Sequence, residues 1–412
     1  MVPTRHDVTI VGGGLVGASL AIALHGSGLD VALVEATPAD TPRSAAFPSV
    51  FDQRNLSFAE ATVNALTALG VLQKLQAPTA PIRRIHVSRN GDFGRVRLAA
   101  EDYGRDAFGQ VVVARDFGQA LEARLLELPA LTRYRPARCI GIGAADNDVR
   151  EVRIADEHGE RVLATRLLVA ADGTRSGVRS ALGIDARIHD YAQTLFIARV
   201  RAERAPDGTA YERFGDDGPT ALLPRGDGYY GIVHGVASDQ AEAVAALDAA
   251  AFLARVQRAF GWRVGRLLEA GPRNAYPAFG VRAGRLFAAR AVLVGNAAQT
   301  LHPVGAQGFN LGLRDALTLA ELLAATAAAG GDPGGDAVLV EHARRRAADR
   351  ERTLAFSDGL ARLAANPSPL LRPLRSAGLL ALQQSSAAQA WLVGGAMGYR
   401  GDVPALCRDM ST

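Results

Sequence analysis

The chain has 412 residues, more than one hydrophobic core normally serves, so at least two domains are expected. Forty-six basic residues against 42 acidic ones leave a formal charge of only +4, with 48% hydrophobic residues, a balance that suits a globular enzyme and argues against a nucleic-acid partner. The cysteines, Cys139 and Cys407, lie far apart without CxxC spacing or a histidine cluster, so neither a metal site nor a disulfide framework is expected and a reducing cytoplasm fits.

Residues 7–36 read as strand, glycine turn, helix and strand: DVTIVGGG, LVGASLAIALHGSG, DVALVEA. The apolar Val8 to Val11 runs straight into glycines, unlike a signal peptide, and the mature start is expected at Met1. Phe51 to Gly70 carries Leu56, Val63, Leu66 and Leu69 at helical spacing, and residues 82–98 read as a hairpin turning at Asn90-Gly91. Asp116 to Leu128 reads as helix, and residues 149–170 as strands ending in an apolar one before the Asp172-Gly173 turn. Residues 193–236 are strand-rich, followed by an Ala-rich helix from Ala243 to Phe260, so this block is expected to form a separate sheet-based domain. The strand Ala291 to Val294, a glycine loop and a helix from Leu311 to Ala329 return to the first style. After the GGDPGG break at 330–335 the chain is helical to about residue 400. The arginine run at 344–352 reads as a solvated helix face. Ser376 to Tyr399 is uncharged, yet Gln383, Gln384, Ser385 and Ser386 at its middle argue against a membrane-spanning helix.

Gly12, Gly14 and Gly17 form a GxGxxG between strand and helix, the pattern that allows a tight turn, close approach of a pyrophosphate and close helix packing. Glu35 ends the next strand, where an acidic side chain accepts ribose hydroxyls and disfavours a 2′-phosphate. The motif predicts dinucleotide binding without separating FAD from NAD. The discriminating segment is RAVLVGNAAQTLHPVGAQGFNLGLRDALTLAELL, residues 290–323, with Gly295-Asn296 at a strand end and Gly305, Ala306, Gln307, Gly308 and Asn310 leading into a helix. It resembles the group A flavoprotein aromatic hydroxylases, which share the para-hydroxybenzoate hydroxylase fold. The stretches AAEDY, FGQVV, YERFGDDGP, FGWRVG and FDQR extend the likeness over residues 7–360, toward the ubiquinone-biosynthesis hydroxylases and their 2-octaprenyl-6-methoxyphenol branch.

The resemblance implies an α/β fold: a Rossmann-like, discontinuous FAD-binding domain (1–76, 105–183, 275–365), a sheet-based substrate domain (77–104, 184–274) and a C-terminal helical segment (366–412). It implies that Gly295 and Asn296 meet the ribitol chain, that the 305–308 loop lies along the flavin pyrimidine edge, and that the helix dipole behind that loop stabilises the reduced ring. This branch carries Gly-Asn where most of the family has Gly-Asp. Its Ala-Gly-Gln-Gly appears here as Gly305-Ala306-Gln307-Gly308. Asp172 and Arg179, in LVAADGTRSGVR, match the motif near the pyrophosphate, and Arg54 and Gln110 fall where the family contacts FAD. With one GxGxxG, NADH or NADPH would visit the flavin transiently. The implied chemistry is hydride transfer to FAD, reaction of the reduced flavin with O2, and attack of an electron-rich phenol ring on the activated oxygen. No acid or base is assigned; His302 and Pro303 are expected beside the flavin, and Tyr211, Arg213 and His234 are candidates for the pocket. A polyprenyl phenol substrate makes peripheral contact with the inner face of the membrane, through Leu370, Leu371, Leu374, Leu379, Leu380 and Leu382 beside Arg372 and Arg375, an expectation, set against simple packing of that helix on the FAD domain. A quinone-biosynthesis protein complex is a second expected partner. The alternatives left open are a hydroxylase of another phenol, a halogenase, a prenyl-chain reductase, or a flavin-bearing subunit without activity.

Overall fold

The computed structural model describes residues 3–38, 54–146, 148–365 and 372–408. Its first sheet runs, in spatial order, Phe287–Ala288, Ala291–Leu293, Gly159–Ala170, Thr4–Val11, Val31–Val34 and Thr132–Tyr134; the last five are mutually parallel. Neighbouring residues alternate between two cores. Val8, Ile10, Leu167, Val169 and Val292 face the helices Leu15–Ala23, Ala114–Leu125 and Gly308–Ala328. Val11, Val34, Leu168, Ala170 and Leu293 face the opposite side, packed with Val152, Ile154 and Val178. Burial on both faces explains why these strands read as unbroken apolar runs.

The second sheet has nine strands and includes Arg84–Arg89, Arg95–Ala99, Ala186–Ala202, Thr209–Phe214, Pro219–Pro224, Tyr230–Ala237 and Asn274–Ala283. The hairpin turn falls at Asn90-Gly91 as expected, with Gly91 at φ 79°. One face packs on the helix Ala249–Phe260 through Phe196, Leu222, Ile232, Phe252, Val256 and Phe260. That helix is shorter than the sequence suggests: residues 241–245 form a separate helix, and Asp248 starts the new one by accepting a hydrogen bond from the Ala251 N–H at 2.7 Å. The other face looks inward, where Phe214 and Val87 pack with Val304 and Leu360.

Three expectations are corrected. Asn55–Ala59, the start of the described part of the anticipated 51–70 helix, is a strand paired with Gly109–Val113; helix begins only at Glu60. Pairing that buries Phe58 outweighs the local helical spacing. The arginine run is not a solvated face, because Arg346 and Arg350 point inward and are buried. Finally, the helix Arg372–Gln384 packs on the edge strand of the second sheet rather than on the first domain: a Cβ at Gly94 would lie 2.4 Å from the Ser376 carbonyl oxygen, and Leu379 and Leu382 join Val96 and Leu98. Leu374 and Leu380 remain exposed, whereas Leu370 and Leu371 lie outside the described residues.

Candidate functional site

Gly12, Asp172 and Gly295 follow three adjacent parallel strands, so the first glycine motif, the Asp-Gly turn and the second glycine segment meet on one carboxyl edge of the sheet. Open α/β sheets bind ligands at that edge. The three motif glycines do different work. Gly12 sits at φ 106°, and a Cβ there would lie 2.5 Å from the Ala171 carbonyl oxygen. A Cβ on Gly17 would lie 1.9 Å from the Gly12 carbonyl oxygen, which fixes the helix against the strand. Gly14 faces open space, with no atom of the described residues within 4 Å of its Cβ position, and it begins a helix that has neither a side-chain cap among those residues nor an acid in its first turn. That is the place where a phosphate can reach unpaired N–H groups. Glu35 accepts hydrogen bonds from the Gly13 N–H at 2.7 Å and the Thr37 N–H at 2.6 Å. Each carboxylate oxygen retains a lone pair for a ribose hydroxyl.

Gly295 (φ 58°) and Gly312 touch each other and Val16, so the turn after the third strand, the first helix and the long 308–328 helix close on one point. Asn296 is exposed beside it. The long helix also starts without a side-chain cap, and Gly308 has open space above it. Both Gly305 (φ 74°) and Ala306 (φ 51°) are left-handed. The swapped order therefore leaves the loop intact at the cost of a non-glycine residue in a strained conformation. The Asn310 side chain is fully engaged: it accepts from the Ala59 N–H and Thr62 hydroxyl and donates to the Ser57 and Ala306 carbonyls. Gln307 donates to the Gly305 carbonyl.

Asp172 accepts from the Ser176 hydroxyl and the Val178 N–H, while the buried Arg179 donates to the carbonyls of Ala297 and Thr174, bracing the two loops together. Arg54 stacks its guanidinium 5.4 Å from the Tyr276 ring centre. Gln110 lies mid-strand between Phe58 and Pro81. His302 is buried; its Nδ1 accepts from the Val304 N–H, so Nε2 carries the proton and donates to Gln193 Oε1 at 3.2 Å. Burial pushes its pKa down to about 4, which keeps the ring neutral. Pro303 is exposed, and its carbonyl accepts from the Ala306 N–H.

The pocket candidates are not brought together with these groups. Tyr211 packs on Phe260, Arg213 donates to Asn90 Oδ1, and His234 lies between Thr220 and Arg255 beside Phe252. All three lie on the helix-covered face of the second sheet, because a strand alternates its side chains and Phe214 fixes the opposite face as the inner one. The same alternation turns Glu212, between Tyr211 and Arg213, inward. Its lateral neighbours are Val87 and Ala221, and no hydrogen bond or ion pair to its carboxylate occurs among the described residues. Solvent reaches it only partly, and burial among apolar groups pushes the carboxyl up to about 7. Sequence reading missed Glu212; the signal was there in the alternation of YERF, but not which face is inner.

The helix that follows the 305–308 loop takes part in a buried ion network. Arg314 pairs with Asp349 at 2.7 Å, Arg346 with Asp315 at 2.8 Å and with Asp349 at 2.5 Å, and Gln299 links Asp315 to Arg350. Arg350 also holds the carbonyls of Ala283 and Ala298, so the network anchors the chain that follows Asn296. Among the described residues no cluster of three or more His, Cys, Asp or Glu is placed to hold a metal ion.

A family model described as "FAD binding domain" matches residues 5–354. The chain belongs to this FAD-binding family. Within it, the chain is 36% identical over 392 residues to "Ubiquinone hydroxylase UbiL" of Rhodospirillum rubrum, covering 95% of this chain and 89% of the relative. It is 30% identical to "3-demethoxyubiquinol 3-hydroxylase" of Escherichia coli, covering 92% and 95% respectively. The fold matches p-nitrophenol 4-monooxygenase PnpA from Pseudomonas putida with a TM-score of 0.75 at 20% identity, over 97% of this chain and all of that one. This FAD-binding protein is thus a monooxygenase of the group A aromatic hydroxylase superfamily, related to the ubiquinone hydroxylases. The glycine-lined strand ends suit its cofactor: two uncapped helix starts with open glycines, approached by a half-buried acid on one side and an apolar sheet face on the other.

Proposed function

We propose that this protein hydroxylates the aromatic ring of a polyprenyl phenol of the 2-octaprenyl-6-methoxyphenol type in ubiquinone biosynthesis, using NADH or NADPH and O2. The observation that carries the reading is the inner sheet face: Val87, Ile197, Leu223 and Val233 are only partly buried, lie on the face that meets Val304 of the His302–Gly308 loop, and share it with Glu212, whose strand neighbours are Val87 and Ala221. An apolar wall suits a hydrocarbon tail, and one poised acid suits a phenol head.

Bound FAD supplies hydride acceptance and oxygen activation. Gly12 to Gly17 and Glu35 would hold its adenosine diphosphate half, and Gly295, Asn296 and the 305–308 backbone its ring half. Glu212 takes the proton from the phenol hydroxyl, which makes the ring more electron-rich; a carboxyl near 7 is matched to that task around neutral pH. Val304, Phe214 and Leu360 exclude water on one side of the pocket. The neutral His302 and its partner Gln193 tie the flavin loop to the substrate sheet and so position one against the other.

The reading also places the protein in the cytoplasm, peripherally at the inner face of the membrane and alongside other quinone-biosynthesis proteins. Support comes from the exposed Leu374 and Trp391 on the C-terminal helices, near Arg372 and Arg400, and from the tendency of polyprenyl substrates to partition into lipid. No helix of the described residues is long and apolar enough to cross a membrane.

The test is turnover by the FAD-loaded protein with a short-chain prenyl methoxyphenol. NAD(P)H consumption should be stimulated by the phenol, with a product one oxygen heavier. Consumption that yields only peroxide for every prenyl phenol tried, together with unchanged quinone levels in a deletion strain, overturns the assignment.

A further inference from the structure

The helix-covered face of the second sheet ends in a group of arginines without acidic partners among the described residues. The sheet terminates at the strand Arg95–Ala99. On it, Arg97 lies directly across from His86, and Arg95 across from Ser88; on the other side of Ser88 lies Arg213, and beside His86 lies Tyr211. Directly opposed residues share a face, so Arg95, Arg97, Arg213 and His86 project together. Arg263, just past the end of the 249–260 helix, completes the group. A Cβ on Gly261 would lie 3.3 Å from Arg213 Nη1 and 3.6 Å from Arg263 Nη1, so both guanidinium groups converge on that turn.

None of these four arginines has a carboxylate within salt-bridge distance among the described residues, although elsewhere in the molecule Arg84, Arg201, Arg266 and Arg282 on comparable surfaces do. Arg213 Nε and His86 Nε2 are buried without a hydrogen-bond partner among the described residues. The charges felt at His86 are all positive, from Arg263, Arg97, Arg95 and Arg213; together with burial they hold the imidazole neutral. Like charges gathered this closely, with donors left unpaired, favour a ligand that brings compensating negative charge and several acceptor oxygens.

We propose that Arg95, Arg97, Arg213, Arg263 and His86 form a binding site for a phosphoryl anion, on the face of the substrate sheet opposite the flavin cleft. The forked guanidinium donors match phosphoryl oxygens, and His86 Nε2 donates to the same group. The exposed Trp262 borders the site, so the anion can be a free phosphate or pyrophosphate or the headgroup of an anionic lipid. The proposal is independent of the hydroxylase reading.

The experiment uses the full-length FAD-loaded protein. Titration calorimetry with pyrophosphate reports the soluble source; co-sedimentation with phosphatidylcholine vesicles, with and without phosphatidylglycerol, reports the lipid source. Binding in either arm should weaken as salt is added. It should fall by about tenfold or more in the double variant Arg95→Gln, Arg97→Gln, whose exposed side chains leave folding untouched. The control double variant Arg201→Gln, Arg266→Gln removes the same charge from ion-paired positions of the same domain and should bind as the parent does. Absence of binding in both arms, or equal losses in the two double variants, overturns the site.

Discussion

Glu212→Gln gives the sharpest test of the inner-face geometry. The carboxyl sits at about 7 instead of 4.5 because ionising it within an apolar wall sacrifices hydration. Well below 4.5 it is protonated in the folded and unfolded chain alike, and no stability is lost. Between 4.5 and about 7 the unfolded chain ionises while the folded protein does not, so stability drains away as pH rises and the full loss is present above 7. The gap corresponds to about 3 kcal/mol, which the residual solvent access reduces to about 2 kcal/mol. Glutamine keeps the size and cannot ionise. Urea unfolding followed by tryptophan fluorescence should therefore show Glu212→Gln to be more stable than the parent by about 2 kcal/mol near pH 8, and by less than about 1 kcal/mol near pH 5. The same variant should lose the rising limb of the pH–rate profile centred near 7, because glutamine cannot take the phenol proton. A stability difference that is the same at both pH values would refute the buried, unpartnered placement of Glu212; an unchanged rate profile would refute its role as proton acceptor.

Gly14→Ala should fold normally, since no atom of the described residues lies within 4 Å of the added carbon, yet bind FAD at least about tenfold more weakly in a fluorescence titration; Gly17→Val should fail to fold, because its Cβ would overlap the Gly12 carbonyl. Asp349→Asn, which leaves the buried Arg314 without a carboxylate partner among the described residues and Arg346 with Asp315 alone, should cost about 3–5 kcal/mol in urea unfolding, against less than about 1 kcal/mol for Arg344→Ala on the exposed side of the same helix. Its arginines hold the Asp349 carboxyl down at about 2, so its contribution is present above 3.8 and disappears as pH falls through about 2, visible as acid lability that Asp349→Asn lacks. Gly305→Ala should cost about 1 kcal/mol, whereas Ala306→Gly should change stability by less than about 0.5 kcal/mol, because relief of its left-handed backbone offsets the added freedom of the unfolded chain; thermal melts of the FAD-loaded protein compare the two.

The cofactor half of the protein was legible in the order of its residues. A GxGxxG between an apolar strand and a helix, an acid at the next strand end, and a second glycine segment nearly three hundred positions later are local patterns set by backbone sterics. Each works over a few neighbouring positions, which is why Gly12, Glu35 and Gly295 could be named without coordinates. Pairing the two segments on one sheet edge was an inference from resemblance, and the parallel order of three strands supplied its physical basis.

What depends on which side of an element meets its neighbour was decided only by tertiary structure. Tyr211, Arg213 and His234 have the right chemistry for a pocket but sit one alternation out of phase with it, and Glu212 takes the inward position between them. A strand has two faces and its own residues do not say which is inner; that was settled by Val304 arriving from a distant loop. Asn55–Ala59 likewise has helical spacing and becomes a strand because Gly109–Val113 offers a partner. The arginine run shows the same limit: Arg344 and Arg346 are chemically identical, and only the 308–328 helix, bringing Asp315 and lying alongside Asp349, makes one of them surface and the other core.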